Sequence, residues 1–175
     1  MPLKDKPSIL FISHESKMYG APRSLLILAN ALREKYNVHV LTFGRGDLVK
    51  ACKDVGVAVS VIPDALGSSI TGKWWSIRLL RFILRKSSNL FLFVYALVKT
   101  RLLKPDLVYV NTIARKEPVQ FARILKRKAI VHVREGVNYL FPNNARRARV
   151  TNYIIDDSSY FVCVSDSVKK ALTIS

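Results

Sequence analysis

Apolar positions along this chain fall into two repeating patterns that follow one another. Short continuous apolar runs at 8–13 (SILFIS), 38–43 (VHVLTF), 57–62 (VAVSVI), 107–112 (LVYVNT), 129–135 (AIVHVRE) and 160–165 (YFVCVS) are predicted to be strands. Between them the spacing turns helical. Leu25, Leu28, Ala29, Leu32 and Tyr36 share one stripe of a helix predicted over 23–36. A second, short helix is expected to be N-capped by Asp47, to face Leu48, Ala51, Cys52 and Val55 inward, and to close at Gly56. Further helices are predicted in the long region before 107, near 118–128, around 144–157 and from Asp166 onward. Strands this apolar need cover on both faces, which parallel sheets obtain from their crossover helices. The predicted fold is α/β, a doubly wound, Rossmann-like parallel sheet of about six strands flanked by helices, forming a single domain over 1–175.

In such sheets ligands collect beyond the carboxyl ends of the strands, where the strand order reverses. The residues placed there are polar: His14 to Gly20, Gly44 to Gly46, Asn111 and Thr112, Arg134 and Glu135, Ser165 and Asp166. The loop after the first strand stands out. Gly20 permits close backbone approach, and Pro22 sits in the first helical turn, where its missing amide costs nothing. The amides of Ala21, Arg23 and Ser24 would then turn a partial positive charge toward a polar, anionic ligand. A plain helix start accounts for the same residues. With one glycine and a long loop, the stretch is not the G-x-G-x-x-G dinucleotide fingerprint.

Composition sharpens this picture at three points. The chain has 175 residues, half of them hydrophobic, enough for one domain with its own core. Cys52 and Cys163 are far apart in apolar segments and are expected to be buried, reduced thiols in a reducing cytosol. The longest uncharged apolar run, 90–98, is far shorter than the roughly 20 residues of a membrane-spanning helix. The net charge of +17 is the outlier, and 65–105 contains no acidic residue at all. Such a surface attracts phosphates, anionic lipid head groups or nucleic acid, and charge alone does not choose among them.

Two segments carry possible chemistry of their own. GSSITGKW (67–74) has the G-x-x-x-x-G-K spacing of a nucleotide P-loop, but Trp74 stands where Ser or Thr must ligate magnesium. In the insertion 73–104, Trp75, Leu79, Phe82 and Ile83 share one helical face and Arg78, Arg81 and Arg85 another. With Trp74 beside Trp75, this suits a helix at an anionic membrane surface; an ordinary crossover helix with solvated arginines has the same pattern. At 132–136 (HVREG), Arg134 and Glu135 emerge at a strand end, where they could bind phosphate and sugar hydroxyls or pair with neighbours. His132 reads as a satisfied core histidine. The three histidines are scattered, with no Ser-His-Asp arrangement and no metal-ligand spacing.

The ordered set YGAPRSLLILANAL (19–32), PDLVYVNT (105–112), VHVRE (131–135) and FVCVSDSVKKAL (161–172) resembles the N-terminal domain of family-4 (group 1) glycosyltransferases. The resemblance runs along nearly the whole chain. It implies half of a GT-B fold, the arrangement of two facing Rossmann-like domains, with the acceptor-side half present. The donor half, which in that family carries a pair of glutamates separated by seven residues, has no counterpart in this sequence.

By that resemblance the chain is the acceptor-binding part of a nucleotide-sugar-dependent, retaining glycosyltransferase of polysaccharide or glycan assembly, inactive without its donor domain. The implied partners are a nucleotide-sugar donor and a glycan or lipid-linked acceptor, with no cofactor and no metal. Gly20 would sit near the donor phosphates, with His14, Glu15, Tyr19, Arg23, Asn111, Thr112 and Ser165 around the substrates. The family's strand-end histidine corresponds to Arg134, beside the acidic Glu135, so this chain offers sugar or phosphate contact there rather than proton transfer. Tyr19 and Pro22 depart from the family's glycine and glutamate. The resemblance also implies a cytoplasmic protein, peripheral on the membrane's inner face through Trp74, Trp75, Arg78, Arg81 and Arg85. The competing class is a basic Rossmann-like nucleic-acid-binding or interaction domain; nucleic acid is favoured by charge only, since the aromatic-glycine signature of an RNA-recognition sheet is missing.

Overall fold

The computed structural model describes residues 6–63, 90–113, 117–134 and 160–173. Within them lies one six-stranded sheet in the order β3-β2-β1-β4-β5-β6, every neighbouring pair parallel. The strands are β1 Ser8–Ser13, β2 Asn37–Phe43, β3 Ala58–Ile62, β4 Leu107–Val110, β5 Lys128–Val133 and β6 Tyr160–Cys163. The helices are α1 Gly20–Leu32, α2 Asp47–Asp54, α3 over 90–102, α4 Glu117–Ile124 and α5 Asp166–Thr173. The predicted P-loop-like stretch, Trp74 to Arg85, Glu135 and the helix expected around 144–157 lie outside the described residues.

The unbroken apolar runs follow from cover on both faces. In β1, Ile9 and Phe11 pack with Leu25, Leu26 and Ala29 of α1 and with Leu48 and Cys52 of α2. Leu10 and Ile12, one residue out of phase, pack with Ala96 of α3 and with Val119, Phe121 and Ala122 of α4. Because successive side chains point to opposite faces, a strand sandwiched in this way must be apolar at every position. Both cysteines are free; Cys52 is buried, which pushes its thiol up to about 11, and Cys163 is half-buried.

Element ends differ from the sequence-based expectation for local reasons. Helix α1 starts at Gly20, because the carbonyl of extended Tyr19 already accepts the Arg23 amide at 3.0 Å. It ends at Leu32, and the turn that follows brings Tyr36 to the start of β2. Asp47 is not the cap of α2. Extended Gly46 holds that position and Asp47 lies in the first turn, where its charge complements the helix dipole. β4 and β6 each stop two residues early, leaving Asn111, Thr112 and Ser165 beyond the ladder.

The amino ends of the strands are tied together. The Asp106 carboxylate accepts from the Ser8 amide at 2.8 Å and the Ser8 hydroxyl at 3.0 Å, while the Asp106 amide donates to the Ser8 carbonyl at 2.9 Å. Those donated bonds hold the carboxyl below the usual range, with the Arg127 charge helping. A carboxyl depressed in the folded state adds stability above its unfolded pKa of about 4, and that contribution is lost as pH falls through the folded value. Asp106→Asn should therefore flatten the acid limb of stability below about pH 4. Urea midpoints measured across that range would show it, and equal acid slopes for the two proteins would refute it.

Candidate functional site

The carboxyl rim is built outward from the loop after β1. The Glu15 carbonyl accepts the hydroxyls of Ser13 at 2.7 Å and Thr42 at 3.0 Å, and the Ser16 carbonyl accepts the Leu48 amide at 2.9 Å. A Cβ on Gly46 would stand 2.6 Å from that Ser16 carbonyl oxygen, so only glycine allows the β2–α2 turn to close against the loop. The loop backbone is thus clamped, and His14 and Glu15 stand on a rigid support. Their side chains, both partly exposed, approach to 3.5 Å between Nε2 and Oε1. His14 Nδ1 is buried with no hydrogen-bond partner among the described residues.

A second set of bonds ties α1 to the far strands. Fully buried Asn111 donates through Nδ2 to the Ala21 carbonyl at 2.8 Å and accepts from Arg134 Nε at 2.9 Å. Below it, the Tyr109 hydroxyl and His132 Nδ1 are hydrogen-bonded. Burial raises the Tyr109 phenol, an effect that the Arg134 charge and its hydrogen bond oppose. His132 is thus a satisfied histidine, bonded to Tyr109, and is half-buried rather than fully enclosed in the core.

These two supports frame an open cleft of about 450 Å³ lined by His14, Glu15, Gly20, Ala21, Ser24, Arg134 and Val164. It lies at the reversal of strand order, since the chain builds outward from β1 to β3 and then resumes on the other side at β4. Nothing lies within 4 Å of a Cβ placed on Gly20, so the helix start opens into free space. The first amides of α1 have no preceding carbonyl to bond, and together with the Arg134 guanidinium they favour an anion on that wall. Glu15 and the Ser24 oxygen supply acceptors for hydroxyls; the Ser24 proton is given to the Gly20 carbonyl at 2.8 Å. A ligand bearing both phosphate and sugar hydroxyls suits this mixture.

Of the residues singled out in the sequence, His14, Glu15, Gly20 and Arg134 come together here. Asn111 stands behind them with its amide engaged, and Thr112 is fully buried. Tyr19 and Arg23 are exposed but do not line the cleft, and the Arg23 amide is used inside the helix. Ser165 is exposed beside the cleft residue Val164; its hydroxyl is bonded to Ser167 and faces the Val168 amide at 3.4 Å, which makes it the cap of α5. Ala21 and Ser24, named in the sequence for their amides, also line the cleft, Ser24 with its hydroxyl as well, whereas Val164 carries no polar signal by which the sequence could mark it. No group of three His, Cys, Asp or Glu that could hold a metal occurs among the described residues.

A six-stranded parallel sheet with a polar cleft at its switch point is one Rossmann-like half of the GT-B architecture. The profile described as Glycosyltransferase Family 4 matches residues 18–173, and the chain belongs to that family. Among solved structures, Anabaena Alr3699/HepE in complex with UDP and glucose superposes with a TM-score of 0.71 at 18% identity, over 96% of this chain and 41% of that one. MurG of Acinetobacter baumannii gives 0.61 at 14% identity, over 92% and 42%. UGT73P12 of Glycyrrhiza uralensis, complexed with glycyrrhetinic acid 3-O-monoglucuronide, gives 0.58 at 11%, over 95% and 47%. The chain therefore spans less than half the length of each. No curated protein matches the sequence.

Proposed function

We propose that this chain is the acceptor-binding half of a nucleotide-sugar-dependent glycosyltransferase that acts with retention of configuration in polysaccharide or glycan assembly. The observation that carries the reading is the convergence of Gly20, the start of α1, Glu15 and Arg134 on one cleft at the switch point. In this reading the open amides of α1 and Arg134 face the donor diphosphate once a donor domain closes over the rim. Glu15 and Ser24 receive acceptor hydroxyls. UDP, bound by HepE, is the nucleotide we assign to the donor.

Arg134 stabilises charge there and does not transfer a proton, because a guanidinium stays protonated throughout the working pH range. Glu135, next in sequence, is proposed to act with Arg134. No metal or other cofactor enters the scheme. Half of the diphosphate's surroundings must come from the donor side, so the chain alone turns nothing over. The protein works at the cytoplasmic face of a membrane, with Trp74, Trp75, Arg78, Arg81 and Arg85 against anionic lipid and a glycan or lipid-linked acceptor.

The test is glycosyl transfer by this chain joined to a family-4 donor domain, with UDP-glucose and saccharide acceptors, read by mass spectrometry and product anomer. Transfer from the joined protein, none from the chain alone and a product keeping the donor's α configuration are expected. Inverted product would sink the retaining mechanism; no transfer with any nucleotide-sugar would sink the whole reading.

A further inference from the structure

Helix α2 presents a face that the cleft does not use. Gly46, Val49, Lys50 and Lys53 fall at i, i+3, i+4 and i+7, so they line one side of the helix. The buried Leu48 and Cys52 occupy another side, packed against the sheet. Next to that first face, Val59 and Val61 alternate along β3, the edge strand, and share one face of the sheet. Together with Arg45 these residues enclose an open groove of about 600 Å³.

Its chemistry is two-sided. Val49, Val59 and Val61 form an apolar wall and are only half-buried. Arg45, Lys50 and Lys53 stand at its rim, all exposed, and none has an ion pair or side-chain hydrogen bond among the described residues. The acidic residues of the helix, Asp47 and Asp54, lie outside the groove lining. Lys50 and Lys53 are neighbours on one helix face, and like charges so placed repel unless an anion sits between them. An apolar wall edged by uncompensated cations is complementary to a molecule with an apolar chain and an anionic head.

The groove also has an address. Gly46 belongs both to its lining and to the contact that closes the β2–α2 turn on Ser16, the residue after Glu15. It therefore opens onto the same carboxyl rim as the cleft, from the β3 side.

We propose that this groove is a second ligand site, which binds an amphiphilic phosphate: its head on Arg45, Lys50 and Lys53, its apolar chain along Val49, Val59 and Val61. Resting on the reading of this chain as an acceptor-binding half, the site holds the non-reacting, lipid-phosphate end of the acceptor while the cleft takes the sugar end. Acceptors without that end would then bind through the cleft alone and more weakly.

Calorimetric titration of the protein with dodecyl phosphate, below its micelle concentration and without any nucleotide-sugar, tests it. One molecule should bind, and Lys50→Glu with Lys53→Glu should weaken binding at least about tenfold, the loss of two charge-assisted contacts. Dodecyl maltoside, which has the chain but no charge, and inorganic phosphate, which has the charge but no chain, should each bind at least about tenfold more weakly. An unchanged affinity in the double variant overturns the proposal, as does equal binding of either control. Both lysines are exposed, so the double variant should keep its thermal midpoint; if it fails to fold, Arg45→Gln serves in the same titration. With no donor present, absence of glycosyl transfer leaves this result standing, and absence of dodecyl phosphate binding leaves transfer to uncharged acceptors standing.

Discussion

Phe11→Ala should destabilise the protein by about 3–5 kcal/mol, the usual loss for an aromatic truncated in a closed core. Phe11 lies in β1, between β2 and β4, and is fully buried. Its ring packs 5.0 Å from that of Tyr109 and belongs to the core cluster that joins α1 and α2 to the sheet. The surrounding positions, Val40, Leu25 and Ala29, are fully buried on rigid elements and cannot collapse into the space left. The strength of the effect depends on that rigidity, since the penalty grows with the residual cavity. Urea unfolding with an unchanged m-value and a lowered midpoint would show it. A loss below about 1.5 kcal/mol would mean the α1 face of the sheet is loosely packed. The variant also bears on the site, because Tyr109, held by Phe11 on one side, is hydrogen-bonded to His132 on the other.

The sheet was legible because its physics is periodic. Six apolar runs separated by helical stripes leave few alternatives to a parallel, two-side-covered sheet, and all six are present in the expected succession. Boundaries were less legible. Extended Tyr19 offers its carbonyl to Arg23 and so begins α1 at Gly20, a backbone event that side-chain patterning does not encode. Within the site, Gly20 and Arg134 could be found because strand ends and an isolated glycine mark a rim. Asn111 directly follows β4, yet its engagement with Ala21 and Arg134 spans 90 and 23 residues of sequence. Such long-range pairing exists only once the strand order is known. The groove of α2 and β3 was invisible for the same reason: Lys50 and Lys53 read as ordinary solvated charges until Val59 and Val61 are laid beside them.

Asn111→Leu should combine a stability loss with a defect in the cleft itself. The side chain is fully buried, so its two polar groups meet only protein: Nδ2 serves the Ala21 carbonyl and Oδ1 serves Arg134 Nε. Leucine has the same branching and number of side-chain heavy atoms but is larger, so it leaves no cavity, and the lost polar contacts act together with some overpacking. A buried donor or acceptor left unsatisfied costs about 1–3 kcal/mol, more when charged, and here a carbonyl and a guanidinium nitrogen lose this partner together; we expect a total of about 2–4 kcal/mol. Asn111→Asp separates the two effects. Its carboxylate still accepts from Arg134, as a stronger charge-assisted bond, but it cannot donate to Ala21 and sets two acceptors face to face. Hydrogen exchange in the first turn of α1 should therefore quicken in both variants, whereas the Arg134 side-chain resonances should shift mainly in the leucine variant. If α1 exchange stays unchanged in both, Asn111 does not hold the helix start over the cleft, and the preorganised anion wall assigned to Gly20 and Arg134 loses its support.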